Sequence, residues 1–116
     1  MTISKKDSLI DIAFIVCTAL DEVGIKAVLT GGSAATFYAP QSIQSFDLDF
    51  VITFRKEGSQ GAEVLNKLGF EKTGDYYKHP DCDFPLEFPP GPLMVGDDSI
   101  MSWSTERKGD HLLYVA

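Results

Sequence analysis

Two groups of residues in this chain have the types and spacing to do chemistry together. The first is Gly31-Gly32-Ser33, which follows the apolar run Val28-Leu29-Thr30. A glycine turn that hands a strand over to a helix exposes backbone N–H groups and the positive end of the helix dipole. Both attract an anionic phosphate. Glycine lets a ligand approach the backbone closely, and the Ser33 hydroxyl is a candidate donor to a phosphate oxygen. The same residues would also serve as a plain strand-to-helix turn with Ser33 as N-cap.

The second group is Phe46-Asp47-Leu48-Asp49-Phe50-Val51, in which Asp47 follows Ser33 by 14 residues. Alternate residues of a strand point the same way about 6.5 Å apart, so Asp47 and Asp49 could share divalent cations. An unpaired charge inside an apolar strand is costly unless a metal or donor compensates it. A solvated outer sheet face would also carry acids, although Val51 on that face argues against a fully wet surface. Two-metal chemistry calls for a third carboxylate on a neighbouring strand. Glu87, in Phe84-Pro85-Leu86-Glu87-Phe88, is the first candidate, and Asp83, of the same strand parity, is the second.

The remaining chemistry-bearing residues carry less information. Arg55, Lys56, Lys72 and Lys78 could neutralise a triphosphate, and nothing in the sequence selects among them. His79 and His111 are isolated and read as packing or surface residues. Trp103, Tyr76 and Tyr77 read as core or interface aromatics, one of which could stack on a base.

Several elements must position these groups. Leu9, Ile12, Ala13, Val16, Ala19, Leu20 and Val23 recur at helical spacing, with Asp7 or Ser8 as N-cap and Gly24 closing the helix. Ile25 to Thr30 reads as a short buried strand, and Ser33 to Ala39 as a second helix stopped by Pro40. From Phe46 to Phe54 the period-two pattern predicts a strand with Phe46, Leu48, Phe50, Ile52 and Phe54 on one face. Gly58-Ser59 opens a third helix that ends at Gly69. Phe70 to Tyr77 and Asp83 to Phe88 are expected as further strands, and Pro89-Pro90-Gly91-Pro92 cannot continue a central one. Ile100 to Ser104 and His111 to Val115 are the expected closing strands. Helices alternate with strands first and strands dominate later, which predicts an α+β fold with a mixed sheet and helices packed mainly on one face.

At 116 residues, with 44% hydrophobic and 23% charged residues, the chain is expected to form a single soluble domain spanning residues 1–116. The formal net charge of −7 argues against holding nucleic acid on a non-specific basic face. A bound cation would invert that sign locally and admit a nucleoside triphosphate. Cys17 and Cys82 make neither a metal-type pair nor a disulfide framework, which suits two reduced thiols in the cytoplasm. The N-terminus is interrupted by Asp11 and does not read as a signal peptide. No apolar run approaches the about 18 residues of a membrane span, so no membrane partner is expected. The sequence stops on the strand-like His111-Leu112-Leu113-Tyr114-Val115-Ala116, consistent with a truncated chain or with a strand that ends the domain.

The Gly-Gly-Ser turn, the aspartate pair and the later acidic strand together resemble the signature of the DNA polymerase beta-like nucleotidyltransferase superfamily, above all its small prokaryotic and toxin-type members. The similarity spans roughly residues 10–90, and its specific content is about eight positions. The resemblance implies that Gly31, Gly32 and Ser33 bind the triphosphate. It implies that Asp47 and Asp49 hold Mg2+ or Mn2+, with Glu87 completing the catalytic metal. The implied reaction transfers a nucleoside monophosphate from a nucleoside triphosphate to a hydroxyl on RNA, protein or a small molecule. In the prokaryotic branch it extends to antibiotic-modifying enzymes and toxin–antitoxin systems. Two departures stand out. Gln41-Ser42-Ile43-Gln44-Ser45 lacks the Arg or Lys that many members carry before the aspartates, and the 116 residues include no segment that reads as the helical domain into which members usually continue. These departures favour a second expectation, a catalytically idle module of the same fold that acts as a nucleotide sensor or as one component of a protein complex or homo-oligomer.

Overall fold

The first helix begins where the sequence can satisfy its free amide groups. The Ser8 hydroxyl accepts the Asp11 N–H at 3.1 Å while the Asp11 carboxylate accepts the Ser8 N–H at 3.0 Å, a reciprocal capping box. This choice of Ser8 over Asp7 starts α1 (Leu9–Glu22). Gly24, at φ +83°, then turns the chain where a side chain would strike Lys56.

The structure is a computed structural model that describes residues 2–41, 46–89 and 103–116, with the backbone of 94–95 and 98–99. After α1 come β1 (Ile25–Thr30), α2 (Gly31–Tyr38), β2 (Leu48–Arg55) and α3 (Gly61–Leu68). Then follow β3 (Glu71–Thr73), β4 (Tyr76–His79), β5 (Cys82–Glu87), β6 (Met94–Val95), β7 (Asp98–Ser99), β8 (Ser104–Lys108) and β9 (His111–Val115). Seven strands form one sheet in the order β3-β4-β5-β2-β1-β9-β8, and β6 pairs with β7 in a second, two-stranded sheet among the described residues. Within the seven-stranded sheet β1–β9 and β2–β5 are parallel and the other pairs antiparallel. The architecture is α+β with a mixed sheet, as the alternation of elements predicts.

β1 lies near the middle of the sheet, and Ile25, Ala27, Val28 and Leu29 are all fully enclosed. A strand covered on both faces loses its alternation, which is why this segment reads as a continuous apolar run. Polar bonds fix α1 against β9. The Thr18 hydroxyl accepts the Leu112 N–H at 2.9 Å, and the Tyr114 hydroxyl donates to Asp21 at 2.7 Å. Phe37 of α2 meets Phe14 of α1 at 6.5 Å between ring centroids. On α3, Gly61 sits against Ile25 and Leu20, closing the core around α1.

Several expected boundaries shift for identifiable reasons. β2 starts at Leu48, so Asp47 occupies the bend before the strand and Phe46 is 79% exposed. At its other end Lys26 pairs with Phe54 and Ala27 with Ile52, leaving Thr53 as an extra residue. That bulge interrupts the period-two pattern, and Phe54 is 55% exposed. The expected strand from Phe70 to Tyr77 is instead the β3–β4 hairpin, in which Thr73 faces Tyr76 across Gly74 at φ +61° and Asp75. The second helix begins at Gly31 rather than Ser33, and the third at Gly61 rather than Gly58. The partner of β9 is Ser104–Lys108, while residues 100–102 of the expected closing strand lie outside the described residues, as do 42–45.

Candidate metal centre

β2 and β5 run parallel, with Leu48 opposite Leu86 and Asp49 opposite Glu87. Both leucines are fully buried, so the acidic partners project from the other side of the sheet. On its other flank Asp49 pairs with Thr30 of β1, and on the far side of β5 Glu87 pairs with Tyr76 of β4. One cross-strand row therefore reads Thr30, Asp49, Glu87, Tyr76 over four neighbouring strands. Asp47, from the bend before β2, joins it. One carboxylate oxygen from each of Asp47, Asp49 and Glu87 lies within 4.8 Å of the others, and all three residues are half-buried. Asp83, the alternative third acid, is exposed about 13 Å back along β5 and outside this cluster.

The glycine turn abuts the same point. Thr30 ends β1 and is the N-cap residue of α2, which brings the helix start beside Asp49. Gly31, at φ +63°, comes so close that a Cβ would stand 3.1 Å from Asp49 Oδ2. Only glycine accepts both that backbone conformation and that proximity. Gly31 and Gly32 are exposed, with the open N–H groups of a helix's first turn.

Ser33 is placed differently from the expectation of a phosphate donor. It is fully buried, its hydroxyl donates to the Thr30 carbonyl at 2.7 Å, and it accepts the Asp49 N–H at 3.1 Å. Nor is it the N-cap, a position taken by Thr30. The hydroxyl ties the start of α2 to β2 and holds Asp49 at the turn.

Electrostatics at the cluster disfavour three ionised carboxylates held so close together. Two unit charges about 5 Å apart repel by about 3 kcal/mol at an effective dielectric constant of 20. The Asp49 carboxyl is pushed up to about 6, first by burial, then by the Asp47 and Glu87 charges and a hydrogen bond to Glu87. Among the described residues neither Asp49 nor Glu87 takes part in an ion pair. A divalent cation would relieve this repulsion, and a set of carboxylate oxygens is the donor chemistry that Mg2+ and Mn2+ prefer.

The other residues singled out in the sequence fall elsewhere. His79 is structural: its ring lies between the Leu68 carbonyl and the Asp81 N–H, at 3.0 and 2.9 Å, and edge-on to Phe70. Trp103 packs against Tyr114. Arg55 and Lys72 line a cavity beneath α3, and Lys56 packs over Gly24. Tyr76 is the residue whose place beside the acids the sequence concealed, because the turn that sets its register was read as strand.

No helix among the described residues is long and apolar enough to cross a membrane. Comparison of the chain with protein-family models, with curated proteins and with solved structures gave no match.

Proposed function

We propose that this chain is a metal-dependent nucleotidyltransferase that moves a nucleoside monophosphate from a nucleoside triphosphate to a hydroxyl of an RNA, protein or small-molecule acceptor. The observation that carries the reading is the convergence of Asp47, Asp49 and Glu87 within 4.8 Å beside a helix that starts at Gly31. Asp47, Asp49 and Glu87 would hold Mg2+ or Mn2+, which when bound neutralises phosphate charge and acidifies an attacking hydroxyl. The exposed amides of Gly31 and Gly32 bind phosphate oxygens at the positive end of α2. Ser33 acts as a positioning residue, keeping that helix start against Asp49. Tyr76, exposed beside Glu87 in that row, offers an aromatic face to the base. The acceptor oxygen forms its bond to the α-phosphorus as the bond to pyrophosphate breaks, and the hydroxyl proton passes to the Asp49–Glu87 pair.

A second reading, an idle module that senses nucleotide or pairs with another protein, is favoured by Ser33. Its hydroxyl is spent inside the fold and gives nothing to a phosphate. The free thiols of Cys17 and Cys82 suit a cytoplasmic setting for either reading. The deciding experiment incubates the protein with each α-labelled nucleoside triphosphate and Mg2+ or Mn2+, with total RNA and cell protein as acceptors. Label transfer that is lost in Asp49→Asn supports the enzyme. Metal-dependent nucleotide binding with no transfer supports the sensor.

A further inference from the structure

Beneath α3 lies a cavity of about 470 Å³, a size that suits a small organic ligand. Its walls are apolar and aromatic: Leu65 from α3, Ile52 from β2, Tyr77 from β4 and Phe88 just after β5. The Tyr77 and Phe88 rings stand at 90° to each other with centroids 5.8 Å apart, and Phe88 stacks on Phe50 at 6.0 Å. A flat apolar body fits such a corner.

The charges of the lining point to the other half of the ligand. Arg55 and Lys72 both line the cavity, and among the described residues neither forms an ion pair. Two such cations on one cavity are notable in a chain of net charge −7. Asp75 and Glu87 also contribute to the lining, but Glu87 belongs to the carboxylate cluster. The lining thus carries two cations and two acids, one of which, Glu87, is shared with the carboxylate cluster.

Of the three clustered acids, Glu87 also lines the cavity, whereas Asp47 and Asp49 do not. Ile52 has the opposite strand parity to Asp49, and Phe88 immediately follows Glu87, so the aromatic walls belong to the opposite side of the sheet. We infer that this cavity is a second ligand site, which takes a small anion with an aromatic body, its ring against Tyr77 and Phe88 and its charge on Arg55 and Lys72.

The test uses 1-naphthyl phosphate as probe, followed by its fluorescence in the presence of a chelator, so that no metal takes part. The wild-type protein binds it, Arg55→Gln and Lys72→Gln each weaken binding about fivefold, and uncharged 1-naphthol binds more weakly by a similar factor. Asp47→Asn leaves this binding unchanged, since Asp47 is outside the cavity. Equal affinity in wild type and both cation variants, or equal affinity for 1-naphthol, overturns the anion site. Competitive displacement by ATP with Mg2+ overturns its separateness and gives the cavity to the nucleotide. Naphthyl phosphate binding that persists in a protein with no metal response retains this site while the nucleotidyl transfer reading falls.

Discussion

Asp49 and Glu87 stand opposite each other on parallel strands, where burial first, and then the charges of Asp47 and Glu87, disfavour the ionised form of the Asp49 carboxyl. Asp49 is pushed up to about 6, from an ordinary value of 3.8. Between those two values the folded chain holds a proton that the unfolded chain has released, so stability falls as pH rises through this window. The cost is fully present above pH 6 and absent below about 3.8. Solvent screening at a half-buried site keeps it to about 1 kcal/mol. Asp49→Asn should therefore be at least as stable as wild type at pH 7 without metal, and the two should converge toward pH 4. Denaturant melts across that range check this; a variant that is less stable at pH 7 would mean the acids do not repel as described.

Metal should reverse that order. Mg2+ or Mn2+ should raise the melting temperature of wild type, and a nucleoside triphosphate should raise it further only when metal is present. Asp47→Asn and Asp49→Asn should abolish the metal-dependent part and keep the fold, since an amide preserves shape and removes charge. A metal response unchanged in both variants would place the ions elsewhere on this acidic surface.

Ser33→Ala should destabilise the protein by about 2 kcal/mol, because it strips partners from the Thr30 carbonyl and the Asp49 N–H at a fully buried point. Gly31→Ala should cost about 1 kcal/mol through its positive φ and should also displace the Asp49 carboxylate. Its distinguishing mark is a weakened metal response at temperatures where the fold is intact. Chemical denaturation and metal titration of both variants separate the two effects.

Gly69 and His79 form a second tight contact. Gly69 closes α3 in the left-handed region at φ +104°, and a Cβ there would fall 2.5 Å from His79 Nε2. Gly69→Ala should cost about 2 kcal/mol, the sum of backbone strain and displacement of the imidazole from the Leu68 carbonyl. In the double variant with His79→Ala the steric part disappears, so the two losses should sum to less than their separate values. Full additivity in equilibrium unfolding would show that the imidazole yields freely.

What the sequence determined by itself is local. Ser8 and Asp11 make their own cap within one turn, and Gly24 and Gly69 mark the ends of their helices by conformations that other residues adopt at a cost. The aspartate pair announced itself by its spacing, and Gly31-Gly32 by glycines at a strand end. Tertiary structure decided whatever depends on which strands become neighbours. Nothing local says that β5 lies beside β2, in parallel and with Asp49 opposite Glu87, yet that register is what separates Glu87 from Asp83. The reversal at Gly74-Asp75, hidden in a run of residues compatible with a strand, brought Tyr76 into the acidic row. The bulge at Thr53 arose from pairing with β1, so it broke an alternation that looked regular to Phe54. Ser33 is the sharpest case. A hydroxyl three residues into a helix can serve a ligand or the fold, and only the approach of the Asp49 amide, 16 residues along the chain, assigned it to the fold.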